Sequence, residues 1–411
     1  MNQFLTVGQV AEVLNVSKET VRRWDKSGKL KATRSKSSGY RQYDATKFHQ
    51  QELPLLKPLQ SGKSSNEVRP KRRFTSIELF AGAGGLALGL EKAGLECLLL
   101  NEIDRSACQT LRLNRPTWNV VEGDISKIDF HEFNGQVDVI TGGFPCQAFS
   151  YAGKKLGFED ARGTLFYEFA RAVKEVQPLV AVGENVRGLL SHDGGKTISG
   201  MVSILEELGY AVVLPRVLKA IHYQVPQKRE RLFLVAVRKD IQQNFEYPLP
   251  DQQIYTLKDA LKKGELFKRD VPKSPGQAYP EKKAKLMALV PPGGYWRDLP
   301  LDLQKQYMQK SFYLGGGKTG IARRISWDEP SLTLTCAPAQ KQTERCHPEE
   351  TRPFTVREYA RIQTFPDDWE FAGSMTAQYK QIGNAVPVNL AFCVGQSIVR
   401  LLNRHFEVSK I

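Results

Sequence analysis

Polar and apolar positions follow two rhythms along this chain. Near its start, Val7, Val10, Ala11 and Leu14 recur at i, i+3, i+4 and i+7, the period of one helix face. Asn15-Val16 predicts a turn, and Ser17 stands where it can cap a second helix running through Trp24. From Phe74 onward, short apolar runs alternate with amphipathic stretches. Strands are predicted over 76–80 and 97–103, up to Gly123-Asp124-Ile125, over 137–140 before Cys146, and over 179–183, 211–218 and 231–237. Helices are predicted over 86–92, 162–176, 197–208 and 388–401, the last beside the first strand. This alternation predicts an α/β fold, a doubly wound Rossmann-like sheet.

The rhythm breaks at two places, and these suggest the domain plan. Residues 1–57 form a small helix-turn-helix unit, in which Ser38-Gly39-Tyr40-Arg41-Gln42-Tyr43 reads as a wing-like hairpin. Residues 58–73, rich in Ser, Pro, Lys and Arg, read as a basic linker. The alternating segment 74–250 is the main domain. Residues 251–325 are basic, irregular and glycine-bearing, as expected of a smaller domain. Residues 326–411 return to complete the first.

Composition narrows the class. At 411 residues the chain exceeds one ordinary core, and its 41% hydrophobic and 25% charged residues are typical of soluble proteins. No apolar run of membrane-spanning length and no signal peptide are apparent, so a cytoplasmic address is expected. The six cysteines form no CxxC pair or His/Cys cluster, which argues against a metal site and a disulfide framework. The net charge of +15 is unevenly placed. Residues 1–73 hold 16 Lys/Arg against 6 Asp/Glu, and 251–325 hold 15 against 7, while the rest is slightly acidic. Two basic blocks outside the alternating segment predict two polyanion-binding surfaces.

The candidate chemistry lies at strand ends. Gly142-Gly143-Phe144-Pro145-Cys146 puts a cysteine on a stiff turn after an apolar strand, where open α/β sheets bind ligands. Glu184-Asn185-Val186 and Gln227-Lys228-Arg229-Glu230-Arg231 end or begin other strands. The turn Phe80-Ala81-Gly82-Ala83-Gly84-Gly85 follows the first strand but lacks the GxGxxG dinucleotide spacing. Glu102, at the second strand's end, can accept from ribose hydroxyls, and Asp124 from an adenine amino group. Lys18, Arg22, Arg23 and Arg41 of the N-terminal unit can meet DNA.

Together with Arg357-Glu358-Tyr359-Ala360-Arg361 and Gln378 to Pro387, these motifs resemble the DNA (cytosine-5)-methyltransferase family over most of 74–411. The N-terminal pattern resembles the MerR-type winged helix-turn-helix. The first resemblance implies S-adenosylmethionine as cofactor, with Phe80 against the adenine and Gly82, Gly84 and Gly85 near the methionine carboxylate. Glu102, Ile103, Asp124, Ile125, Pro145, Leu165, Asn384 and Val386 complete that pocket. It implies Cys146 as nucleophile at carbon 6 of a flipped cytosine and Glu184 as the group on ring N3. Arg231 would lie nearest the base, with Arg229 and Gln227 in support. It implies a mobile loop over 149–163 carrying Lys154 and Lys155 to DNA, and a target-recognition domain at 251–325. Within that domain, 293–297 and 315–318 are the expected base-reading loops. The implied partner is double-stranded DNA, with the enzyme's own promoter a candidate for the N-terminal unit. A restriction–modification system is the implied setting. An RNA methyltransferase of the same fold and a regulator with an inactive enzyme domain are the rival readings.

Overall fold

The computed structural model describes residues 67–145, 164–314 and 318–408, and within the N-terminal segment 4–7, 10, 21–22, 25, 32–34 and 41–44. The chain separates into two compact units, Met1–Asn66 and Glu67–Ile411.

In the first unit, Phe4–Thr6 and Thr33–Arg34 each pair antiparallel with Arg41–Asp44. Of the hairpin expected over 38–43, Arg41 to Tyr43 are described, and Arg41 and Gln42 pair with Arg34 and Thr33, outside the expected bounds. Val10, Val21 and Tyr43 are buried, and Asp25 links the pieces by accepting from the Ala32 amide and from Arg41 at 2.8 Å. Arg22 is exposed, whereas Arg23 lies outside the described residues.

The second unit is built on an eight-stranded sheet. Its strands and main helices, in chain order, are β1 (Phe74–Leu79), α1 (Gly85–Lys92), β2 (Leu95–Glu102), α2 (Arg105–Asn114), β3 (Val120–Glu122) and β4 (Val139–Gly142). Then come α3 (Leu165–Val176), β5 (Val180–Val186), α4 (Lys196–Glu207), β6 (Tyr210–Val212), β7 (Arg216–Lys219), the short β8 (Gln227–Lys228) and β9 (Glu230–Arg238). The sheet order is β7-β9-β5-β4-β1-β2-β3, with β6 also on β9. β3, β2, β1, β4 and β5 run parallel, while β9 is antiparallel to β5 and to β6 and β7.

Residue alternation explains the layers. Ile77, Leu79, Ile140, Ala181, Leu232 and Leu234 face one core with α3 and α4. Their neighbours Val139, Val180, Val182, Phe233 and Val235 face the other, with α1 and the C-terminal helix. Both faces are covered, as in a doubly wound sheet. The single strand expected over 211–218 is two, β6 and β7, because Pro215 has no amide to donate to a ladder.

Two helices of the return segment matter for the site: α8 (Val356–Ile362) and α9 (Met375–Asn384), after α5 (Leu257–Leu261), α6 (Glu281–Ala288) and α7 (Leu301–Met308). The last, α10 (Val388–Val408), packs along α1 rather than only beside the first strand. A Cβ at Gly89 would stand 2.3 Å from the Ala391 Cβ, so the two helices touch backbone to backbone. The run Met375–Glu407 is long and apolar enough to cross a membrane, but Leu390, Val394, Ile398 and Leu402 are fully buried in this core. Residues 67–73, expected as the end of the linker, are tied to α10. The Val68 amide donates to Gln396, the Lys71 amide donates to Asn403, and Lys71 pairs with Glu407.

The basic interval 251–325 divides. Leu257, Ala260 and Leu261 join the core of α8 and α9, whereas Tyr279, Met287, Trp296, Leu299, Met308 and Ile321 form a small separate core that also takes in Cys346. Some of the interval's charge is internal. Arg324 is buried and donates to the Met287, Val290 and His347 carbonyls, and Lys283 pairs with the buried Glu344. Those cations hold the lobe together. Within the expected reading loop 293–297, Trp296 is buried in this lobe. Gly315 to Gly317 lie outside the described residues.

Candidate active site

The parallel strands end along one rim, and each ends in a candidate residue. After β1 the chain takes Phe80, Gly82 and Gly84 into positive φ (57°, 55° and 80°). A side chain at Gly84 would strike Leu111 at 2.7 Å, and one at Gly85 the Val386 carbonyl at 2.3 Å. These two glycines therefore serve packing. At Gly82 no described residue lies within 4 Å of where a Cβ would stand, so among the described residues this part of the turn borders open space. The Glu102 carboxylate locks the turn by accepting from the Gly82 amide at 2.7 Å and from Ile103 and Asp104 at 2.8 and 2.7 Å. Beside it Ile103 is 71% exposed, an unusual position for an isoleucine. Asp124 caps a short turn by accepting from Ser126. Its carboxyl is held below the usual range by that bond. Ile125 is buried in the sheet's core, and Leu165 packs on the same core at the start of α3.

After β4 the turn reaches Pro145, which is exposed. Cys146, Lys154 and Lys155 lie outside the described residues. The turn that leads to Cys146 is nonetheless anchored. Asn185 on β5 donates from Nδ2 to the Phe144 carbonyl at 2.8 Å, and Phe144 packs edge-on to Phe166 at 5.2 Å. A Cβ at Gly143 would lie 3.1 Å from Glu184 Oε2, which places that carboxylate directly against the turn.

Glu184 is 8% exposed, and its Oε1 lies 2.8 Å from Arg231 Nε. Burial pushes its carboxyl pKa up, while Arg231 and Arg229 oppose that shift. Burial likewise lowers the pKa of Arg231. The pair crosses the sheet because β9 runs antiparallel to β5. Arg229 has a different environment. It is 1% exposed and donates to the carbonyls of Leu334, Gly383 and Ala385 at 3.2, 2.9 and 3.0 Å. Gln227 is fully buried, donating to Gln363 at 2.8 Å and accepting from the Leu334 amide at 2.9 Å. Both side chains thus fix the strand to the segment around Asn384 and Val386. The Asn384 side chain in turn accepts from the exposed thiol of Cys336 at 3.0 Å.

Three participants were not among the sequence candidates. Gln363 donates to the Ile382 and Ala385 carbonyls and completes the anchor around Gln227. Asn185 clamps the cysteine turn; its place beside Glu184 was the available signal. Glu78 on β1 is 3% exposed, and its Oε2 has no hydrogen-bond partner among the described residues. Its apolar neighbours on either side concealed it.

With this geometry in hand, comparison with known proteins is decisive. Residues 74–400 match the family described as C-5 cytosine-specific DNA methylase. The chain belongs to that family. It is a DNA (cytosine-5)-methyltransferase, and relatives along its whole length agree. It is 63% identical to the Type II methyltransferase M.Eco47II of Escherichia coli over 98% of this chain and 97% of that one. It is 54% identical to M.Sau96I of Staphylococcus aureus, over 82% and 79%. The Dnmt2 methyltransferase of S. pombe shares the fold, with a TM-score of 0.55 at 18% identity, over 81% of this chain and 99% of that one. Residues 6–43 match the MerR family of regulatory proteins.

Proposed function

We propose that this methyltransferase acts on double-stranded DNA as the modification enzyme of a restriction–modification system in the cytoplasm, with Cys146 as nucleophile. The Type II names of its close relatives support the setting. The observation that carries the site assignment is the buried Glu184–Arg231 pair, pressed against the turn that leads to Cys146.

The chemistry follows from what cytosine lacks. Its carbon 5 is a poor nucleophile, and the base is shielded inside a duplex. The target must therefore leave the stack, at a cost of a few kcal/mol. The Cys146 thiolate then adds to carbon 6, and the displaced electron pair moves onto the ring toward N3. Glu184, protonated, delivers a proton or hydrogen bond to N3, a state that its burial favours. Carbon 5 becomes the nucleophilic end of an enamine, and once it carries the methyl group, loss of its proton to water expels the Cys146 thiolate from carbon 6 and restores the ring. Arg231 keeps Glu184 oriented and stabilises negative charge on the sulfur. Arg229, through the 383–385 backbone, and Gln227, through Gln363 and the Leu334 amide, act as positioning residues.

S-adenosylmethionine supplies the electrophilic methyl group when bound. The residues at the first rim suit it. Among the described residues Gly82 borders open space, Glu102 and Asp124 offer carboxylates for ribose and adenine, and exposed Ile103 with Phe80 offers apolar faces to the base. Gly84, Gly85, Ile125, Pro145, Leu165, Asn384 and Val386 shape or support the same rim. Arg22, Arg23 and Arg41 are assigned to DNA contact by the N-terminal unit, with the enzyme's own promoter as one target. Lys154 and Lys155 are assigned to the loop over the target.

The test begins by sequencing methylation in DNA from cells expressing the protein, which identifies the site. A duplex carrying 5-fluorocytosine at that site should form a denaturation-resistant adduct with the wild type and none with Cys146→Ala. An adduct that survives the substitution removes Cys146 from the mechanism.

A further inference from the structure

Beside the Glu184–Arg231 pair lies a groove of about 470 Å³, of whose lining the chemistry above uses only Arg229 and Arg231. It opens where β5 ends and β9 begins, between β7, β8 and the strand β10 (Ser331–Leu332), which pairs with β8. Its lining holds Arg187, Lys219, Lys228, Arg229 and Arg231 against the single acid Glu230. Such an excess of one sign in a concave site attracts an anion.

The five cations are not equivalent. Arg231 is held by Glu184 and Arg229 by main-chain carbonyls. Arg187 pairs with Glu230 at 2.8 Å, and Lys228 with Glu329 at 3.1 Å. Lys219, at the end of β7, is exposed and forms no ion pair among the described residues. Glu230 stands opposite it in register, but that carboxylate is turned to Arg187. The groove therefore offers one uncommitted ammonium at its mouth. Behind it lies Arg229, 99% buried, with an Nε that has no partner among the described residues.

We propose that this groove seats one phosphodiester of the strand that carries the target cytosine, with Lys219 as its principal contact. The assignment rests on the DNA-methylating function. A base docked against Glu184 remains joined to its own two phosphates, and this cationic groove lies next to that carboxylate on the same rim. The contact carries no sequence information. It fixes the strand while the base is out of the stack, a part that phosphate contacts commonly play.

The experiment uses the full-length protein and a duplex bearing the site that it methylates. Lys219→Ala should weaken binding about 5- to 10-fold at 0.1 M salt and lower the slope of log affinity against log salt by about 1. Lys219→Arg should restore both. Cofactor affinity, measured by calorimetry, should not move in either variant. A single methylphosphonate placed in turn at each phosphate flanking the target cytosine identifies the contact. At one position the neutral linkage should weaken the wild type and leave Lys219→Ala unaffected. Losses that add at every position, or an unchanged salt slope, would overturn the proposal. So would inorganic phosphate binding that depends on Lys219 while DNA binding does not. Failure of the wild type to methylate any DNA would instead strike the functional assignment itself.

Discussion

The rim of the sheet has two halves, and they are built differently. On the side proposed for the cofactor the polar contacts are near in sequence, although Asn384 and Val386 come from the return segment. The β1 turn, Glu102 and Asp124 follow their own strands, and Glu102 is satisfied by amides of residues 82, 103 and 104. On the catalytic side nothing is local. Glu184 needs Arg231 from an antiparallel neighbour, and Arg229 and Gln227 reach across more than a hundred residues to 334, 363 and 383–385. The Glu102 bonds need only β1 and β2. The long-range set exists only when the return segment has docked. Damage to the first half should therefore appear as lost ligand affinity, and damage to the second as lost turnover or lost stability.

The largest effect is expected at Glu184. Glu184→Gln preserves shape and cannot donate the proton, so single-turnover methylation should slow by roughly 10²–10⁴-fold. Cofactor affinity should be nearly unchanged, since no cofactor-side candidate bonds to this carboxylate. Near-normal turnover would end its role as the acid. A matching loss of cofactor affinity would show that the two halves are not separable.

Arg229→Ala comes next and addresses the anchor. Removing the guanidinium leaves the buried carbonyls of Leu334 and Gly383 without this donor, while the Ala385 carbonyl keeps Gln363. Each such orphan costs about 1–3 kcal/mol, so a stability loss of roughly 3–5 kcal/mol is expected in chemical denaturation. A variant as stable as the wild type, yet inactive, would move Arg229 from positioning to direct contact with the substrate.

The same contrast governs what could be read beforehand. The strand–helix alternation, the glycine turn after β1 and the acids Glu102, Asp124 and Glu184 at strand ends were legible, because period and turn chemistry are local signals. The pairing of Arg231 with Glu184 was less so, since β9 had to be placed beside β5. Arg229 was read as a helper of the base site, whereas its hydrogen bonds lie on the main chain, which no spacing reveals. The split of 211–218 followed from Pro215 and was overlooked in a run of apolar residues. The charge of 251–325 was legible as a total but not as a distribution. Arg324 and Lys283 point inward, and only packing decides that. Residues 67–73 looked like a linker by composition, and only their amides' partners on α10 show otherwise.

The most gradual effect, spread over several pH units, concerns the other buried acid. Glu184 has a cation at 2.8 Å, while Glu78 pairs with none among the described residues. Burial raises the Glu78 carboxyl to about 8, assisted by the charges of Glu184 and Glu102 and opposed by the Ala87 amide. In the unfolded chain the same group titrates near 4.3. Between these values the folded protein holds a proton that the unfolded chain has released. Its contribution to stability is therefore complete below the lower value and declines as pH rises toward 8. Glu78→Gln is neutral throughout and removes this slope. Comparing denaturation of wild type and variant from pH 5 to 8.5, without cofactor, should show the difference moving in the variant's favour as pH rises. The change should be at most about 1.4 kcal/mol per pH unit, the limit for one proton. A difference that stays flat would mean that Glu78 is ionised in the fold. An unrecognised cation would then be its partner, and the cofactor half of the rim would be as dependent on a distant charge as the catalytic half.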